Sequence, residues 1–123
     1  MVLLDTSVWI RYFADVRPLS AKVDRLLDAD LVVAHELVYG ELLITDPGGR
    51  KKFLATYELM PRIPMITHDE VVALVRGRGL HGRGVGWIDT HLLASALASQ
   101  AQIWTADHRF AAVAKDLGIT HST

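Results

Sequence analysis

The chain has no cysteine among its 123 residues. That absence excludes a disulfide framework, a thiol nucleophile and every cysteine-ligated metal or cluster. An apolar run of about 18 or more residues is also missing, so no segment reads as a membrane-crossing helix. The opening Met1-Val-Leu-Leu-Asp5 has no basic stretch, and its apolar run is too short for a secretory leader. The expectation is a cytoplasmic protein without a membrane partner. An excess of charge of one sign is lacking too, with 13 Lys and Arg against 14 Asp and Glu and a formal net charge of −1. That balance argues against binding nucleic acid by bulk charge alone. No repeat, low-complexity run or long linker divides the chain.

What is present reads as one domain over 1–123. Half the residues are hydrophobic and 22% are charged, a globular composition. A chain of this length buries roughly two-thirds of its unfolded surface, enough for one core. Residues 2–4 (Val-Leu-Leu) and 31–33 (Leu-Val-Val) are short, wholly apolar runs of the kind buried on both faces of a parallel sheet. Residues 102–105 (Gln-Ile-Trp-Thr) read as a third strand, 119–120 as a last one, and 63–66 as a brief strand or extended link. Between them, helical spacing predicts helices over 6–14, 19–29, 35–45, 49–59, 69–76 and 86–99, and one capped by Asp107 and stopped by Gly118. Strands alternating with helices indicate an α/β fold with a mainly parallel sheet. Trp9, Trp87 and Trp104 all stand in apolar elements and are expected in the core.

In such sheets, ligands bind beyond the carboxyl ends of the strands. Acids collect there. Asp5 ends the first strand, Asp107 lies just past the third, and Asp89 is in the first turn of the helix over 86–99. Glu36 and Glu41 lie on the helix after the second strand. Taken singly, each acid has an ordinary role: Asp5 and Asp107 as N-caps, Asp89 and Glu36 as first-turn acids favoured by the helix dipole, Glu41 on a solvated face. Their convergence is the signal. Crowded carboxylates repel one another unless a cation holds them, and hard oxygen ligands select Mg2+ or Mn2+, which can activate water against a phosphodiester. Setting four such acids aside from the 14 leaves 13 basic residues against 10 acidic ones.

These residues carry a resemblance. The stretches Leu4-Asp-Thr-Ser-Val-Trp-Ile10, Gly40-Glu-Leu42, Gly82 to Gly86 followed by Trp87-Ile-Asp-Thr-His-Leu-Leu-Ala-Ser-Ala-Leu97, and Trp104-Thr-Ala-Asp107 with Phe110 resemble, in order, a PIN-domain ribonuclease of the VapC toxin type. The resemblance implies a three-layer α/β/α sandwich with an acidic pocket for Mg2+ or Mn2+. It implies RNA as the substrate, cleaved by an activated water, a cognate antitoxin protein as partner, and a homodimer. Carried over by position, Asp5, Asp89 and Asp107 become catalytic metal ligands. Thr6 and Thr105 match hydroxyl positions beside them. The remaining acid has two candidates. Glu36 has the family's spacing to Gly40, while Glu41 lies deeper in its helix and within the Gly-Glu-Leu sequence of the nearest subtype. Five residues apart, they stand about 140° apart around a helix and cannot share a face. Glu41 is the assignment and Glu36 the alternative. Among basic residues, Arg78 and Arg83 are the leading RNA-contact candidates because they occupy the glycine-rich loop before Asp89.

Competing signals fall away on context. Gly77-Arg-Gly79-Leu-His-Gly82 spells a dinucleotide fingerprint but follows a helical pattern and has Gln102 where the ribose acid belongs. His35-Glu36 begins a zinc-protease motif that Tyr39 breaks. A receiver-like phospho-accepting regulator would want paired acids at the first strand, where only Asp5 stands. A dehalogenase-like phosphatase would want an acid where Ser7 is. A non-catalytic PIN-fold module binding RNA or protein would not need the full acid set. The choice between the two glutamates separates by experiment: Glu41→Gln should abolish RNA cleavage while Glu36→Gln leaves most of it, and the reverse result would exchange the assignments.

Overall fold

The computed structural model describes residues 1–121; the last two residues of the expected 1–123 domain lie outside that description. The first strand, β1 (Val2–Leu4), is central in a parallel sheet of order β2-β1-β3. β2 (Val32–Val33) pairs with it in the register Val2–Val32 and Leu3–Val33. β3 (Gln102–Trp104) pairs on the other side, with Leu4 opposite Trp104. Successive side chains of a strand point to opposite faces, and all three residues of β1 are buried. Both faces of the sheet are therefore covered by helices, as an apolar run without alternation requires.

Seven helices provide that cover: α1 (Thr6–Phe13), α2 (Leu19–Asp28), α3 (Glu36–Ile44), α4 (Lys51–Tyr57), α5 (His68–Arg78), α6 (Trp87–Ser99) and α7 (His108–Asp116). Their limits follow local chemistry. Asp5, Thr67 and Asp107 cap α1, α5 and α7 through side-chain oxygens. α4 starts later than the expected 49–59 because Pro47 to Gly49 form a turn and Arg50 enters the left-handed region at φ 50°. α5 runs beyond the expected 69–76 to Arg78, where Gly79 at φ 62° ends it.

The two short expected strands shrink to single bridges. Ala34 bridges Arg62 and its carbonyl accepts from the Ile63 N–H, after which no strand forms over 64–67, and Ile103 bridges Thr120. Each is one residue of parallel contact on an edge of the sheet.

The core seats the helices that carry the acids. Trp9 is fully buried, with Tyr12, Phe13, Phe53 and Tyr57 packed around its ring at centroid distances of 5.0–6.1 Å. Trp104 is buried as expected, but Trp87 is 44% exposed. As the first residue of α6 its ring projects outward, 5.3 Å from the His68 ring and 5.2 Å from that of His91.

His35 forms a second anchor. It is fully buried at the start of α3. Its Nδ1 accepts from Leu37 N–H at 3.0 Å, so a neutral ring carries its proton on Nε2, which lies 2.9 Å from Ser95 Oγ on α6. Burial pushes the imidazole down to about 4, which keeps it neutral at pH 7. The His35 N–H donates to Tyr57 Oη at 2.9 Å, so one residue ties α3 to both α4 and α6.

Phe110, on the face of α7 that meets the sheet, is 1% exposed, whereas Ile44 at the end of α3 is 84% exposed. Phe110→Ala should therefore lower unfolding free energy by about 3–5 kcal/mol and Ile44→Ala by less than about 0.5 kcal/mol in urea titrations. Equal effects would contradict the packing of α7.

Candidate active site

The carboxyl end of β1 delivers Asp5, which is 4% exposed, to the start of α1. Oδ1 accepts from the Val8 N–H at 3.1 Å and from Ser7 Oγ at 2.5 Å, and Oδ2 accepts from the Thr105 hydroxyl. Burial raises the Asp5 carboxyl above its ordinary range, and these donors pull against that rise. Ser7 Oγ also accepts from the Ala106 N–H at 3.0 Å, stitching β1 to the segment after β3. The hydroxyl of Thr105 accepts from the Asp107 N–H at 3.0 Å.

Asp107 accepts from the N–H groups of Arg109 and Phe110 through Oδ1, at 2.8 and 3.0 Å. It caps α7, and its second oxygen is free of these bonds. Thr6 Oγ1 donates to Glu41 Oε1 at 2.7 Å, crossing from α1 to α3. The hydroxyls of Thr6 and Thr105, placed beside the acids on sequence grounds, thus each hold a carboxylate. Ser7 was not singled out as a donor; its signal is position, two residues after a strand-end Asp, where a hydroxyl can turn back on that carboxylate.

Asp89 shows that the acids converge. Its carboxyl is pushed up to about 6, first by burial, then by the negative charges of Asp5 and Glu41, with a smaller push from Asp107; a hydrogen bond from the Gly86 N–H opposes them. Glu36 stands apart. It pairs with Arg62 at 3.3 Å, with both side chains about half exposed, and does not figure among the charges acting on Asp89. Asp5, Glu41 and, more weakly, Asp107 thus lie near enough for their charge to act on Asp89, and Glu36 does not.

None of these four acids is paired with Lys or Arg among the described residues. Nor, among those residues, are three or more Asp, Glu or His side chains grouped closely enough, as placed, to hold a metal ion. The donor set is all carboxylate oxygen, partly buried and uncompensated. That chemistry fits a hard divalent ion which takes few protein carboxylates and keeps several of its waters.

The basic candidates are less concentrated. Arg83 pairs with Asp116 on α7 at 2.8 Å, and Arg78 is exposed at the end of α5. The arginines beside the acids are Arg11 and Arg109, which with Ser7, Gly84 and Asp107 line a cavity of about 490 Å3. Arg109 had no distinguishing mark in the sequence, because its partner Gly84 is 25 positions away in a different loop.

The strain at Asp89 has a testable sign. A carboxyl held at about 6 penalises the fold when ionised, fully above pH 6 and no longer below its ordinary value near 4. Buried His35 works the other way, destabilising as pH falls from about 6.5 to 4. Comparison with Asp89→Asn isolates the first effect. In chelator, the variant should melt higher than the wild type by roughly 3–6 °C above pH 6, equivalent to about 1 kcal/mol after solvent screening, with the gap closing toward pH 4. A gap independent of pH would remove the electrostatic account.

Comparison with known proteins shows the family. The PIN domain family model matches residues 2–116. Proteins named Ribonuclease VapC32 from two strains of Mycobacterium tuberculosis are each 39% identical over 120 residues, covering 97% of this chain and 94% of theirs. The resemblance drawn from motifs is thereby borne out along nearly the whole length, and the chain belongs to the PIN domain family, in the company of the VapC proteins.

Proposed function

We propose that this protein is a divalent-metal-dependent endoribonuclease, the toxin of a VapBC-type pair, with Asp5, Glu41, Asp89 and Asp107 as its catalytic metal ligands. The observation that carries the reading is that Asp89 feels the charges of Asp5, Glu41 and Asp107, while none of the four acids stands in an ion pair among the described residues. Repulsion of this kind is costly in a fold unless a cation is to be bound there. Mg2+ or Mn2+ bound to these acids would supply Lewis acidity and a water of lowered pKa at neutral pH.

The chain's own residues do the remaining work. Thr105 and Ser7 hold both oxygens of Asp5, and Thr6 holds Glu41, so the acids present defined lone pairs instead of swinging apart. The capping bonds of Asp107 orient its free oxygen. Arg11 and Arg109 place positive charge beside an otherwise anionic site, where an RNA backbone must approach. RNA as substrate, a cognate antitoxin protein and a homodimer belong to the same reading, supported by the similarity to VapC proteins.

The decisive assay is cleavage of total cellular RNA by the purified chain, free of partner, with Mg2+ or Mn2+, with EDTA, and with Asp5→Asn. Discrete products that need the metal and fall by about 100-fold or more in the variant are expected, with Thr105→Val losing about 10–100-fold. A folded, metal-supplied chain that cuts nothing while still binding RNA or protein would make this a non-catalytic PIN module.

A further inference from the structure

The cavity beside the acids lies between α1, the glycine-rich loop before α6 and the start of α7. One edge is Asp107; the rest is dominated by Arg11 and Arg109. Among the described residues, Arg17, Arg50, Arg62 and Arg83 each pair with a carboxylate, and neither Arg11 nor Arg109 does. The positive character of the cavity comes from these side chains and not from the α7 terminus, whose Arg109 and Phe110 N–H groups are already taken by Asp107.

Both guanidinium groups are held. Arg11 Nη1 donates to the Ser7 carbonyl at 3.2 Å, which ties it to the segment that bonds Asp5. Arg109 is held by packing on bare backbone. A Cβ placed on Gly84 would lie 2.5 Å from Arg109 Cδ and 2.9 Å from Nη1, and Gly84 has φ +82°. The left-handed backbone favours glycine, and a Cβ there would displace the Arg109 side chain from its present position. An arginine that is unpaired yet laid flat against a glycine has lost part of its rotamer freedom before any ligand arrives, and its fork matches the paired oxygens of a phosphate.

We propose that this cavity seats the RNA phosphate adjoining the one that is cleaved, clamped by Arg109 and Arg11, with Gly84 serving to lay Arg109 in place. The assignment rests on the ribonuclease reading above. It separates the labour of the site: carboxylates face the reacting phosphate, and arginines hold its neighbour, which carries charge but no sequence information.

The test is binding of a fluorescent mixed-sequence single-stranded oligoribonucleotide across a salt series, in Asp89→Asn and in the wild-type chain with EDTA, so that the strand is not cut. Arg109→Ala should weaken binding about tenfold, as for one lost charged hydrogen-bonding group. It should also reduce the slope of log K against log salt by about 0.7, one phosphate contact on a single strand. Arg109→Lys should restore the slope but not the full affinity, and Arg25→Ala on α2 should change neither. In the cutting-competent chain with metal, Arg109→Ala should raise KM more than it lowers kcat. A salt slope indifferent to Arg109 in a chain that binds and cuts RNA overturns the subsite alone. A metal-supplied wild type that neither binds nor cuts RNA overturns the ribonuclease reading and the subsite with it.

Discussion

Burial of the Asp5 and Asp89 carboxyls beside further acids, at the end of a buried strand, is the constraint around which the other features of this molecule are arranged. Asp5 cannot move away from the sheet, because its N–H donates to the Trp104 carbonyl and its oxygens are taken by α1 and by Thr105. The other three acids are brought up to it on separate helices. Hydroxyl groups do the restraining, since a hydroxyl can donate to a carboxylate without cancelling its charge. A lysine in the place of Thr6 or Thr105 would relieve the strain and fill the site. The helices themselves are seated from the core side, α1 by the aromatic packing around Trp9 and α3 by the buried imidazole of His35. Positional accuracy at the acids is thus supplied by apolar contacts and a neutral polar node elsewhere.

The near-zero net charge conceals this segregation. Opposite charges in the chain do not simply mix. The acids at the strand ends go unpaired, while Glu36, Asp46 and Asp116 are matched with arginines on the surface. Bulk charge arithmetic therefore says little about what such a domain binds; local placement decides it.

Which parts of this were readable beforehand follows from the range of the interactions. Asp5 and Asp107 stand out because apolar strand residues lie just ahead of them, and Asp89 because a long helical period begins beside it. Those are local signals. The convergence of the acids is not local, yet the parallel topology implies it. The two glutamates of α3 were distinguishable in principle by their angular separation, but only the position of Arg62 reveals where Glu36 points. The expected strand at 63–66 is absent, with a single bridge at Arg62 just before it, and that at 119–120 is a single bridge at Thr120, too short for any period to describe. Trp87 misleads because the first residue of a helix can turn outward while the residues that follow are buried. Contacts such as Arg109 on Gly84 and His35 on Ser95 leave no trace in spacing, since each joins separate segments through one side chain.

Asp107 caps α7 and, in the proposed function, is also a site acid, and the two roles depend on different properties of the same group. Capping needs an oxygen acceptor of the right length, for which asparagine serves as well as aspartate. The site acid needs the charge. Silencing and unfolding are therefore separable at this position: an amide there removes the anion while leaving α7 wound from its first turn. On the proposed function, residue 107 is therefore the natural place to obtain an inert twin of the protein whose shape is that of the original.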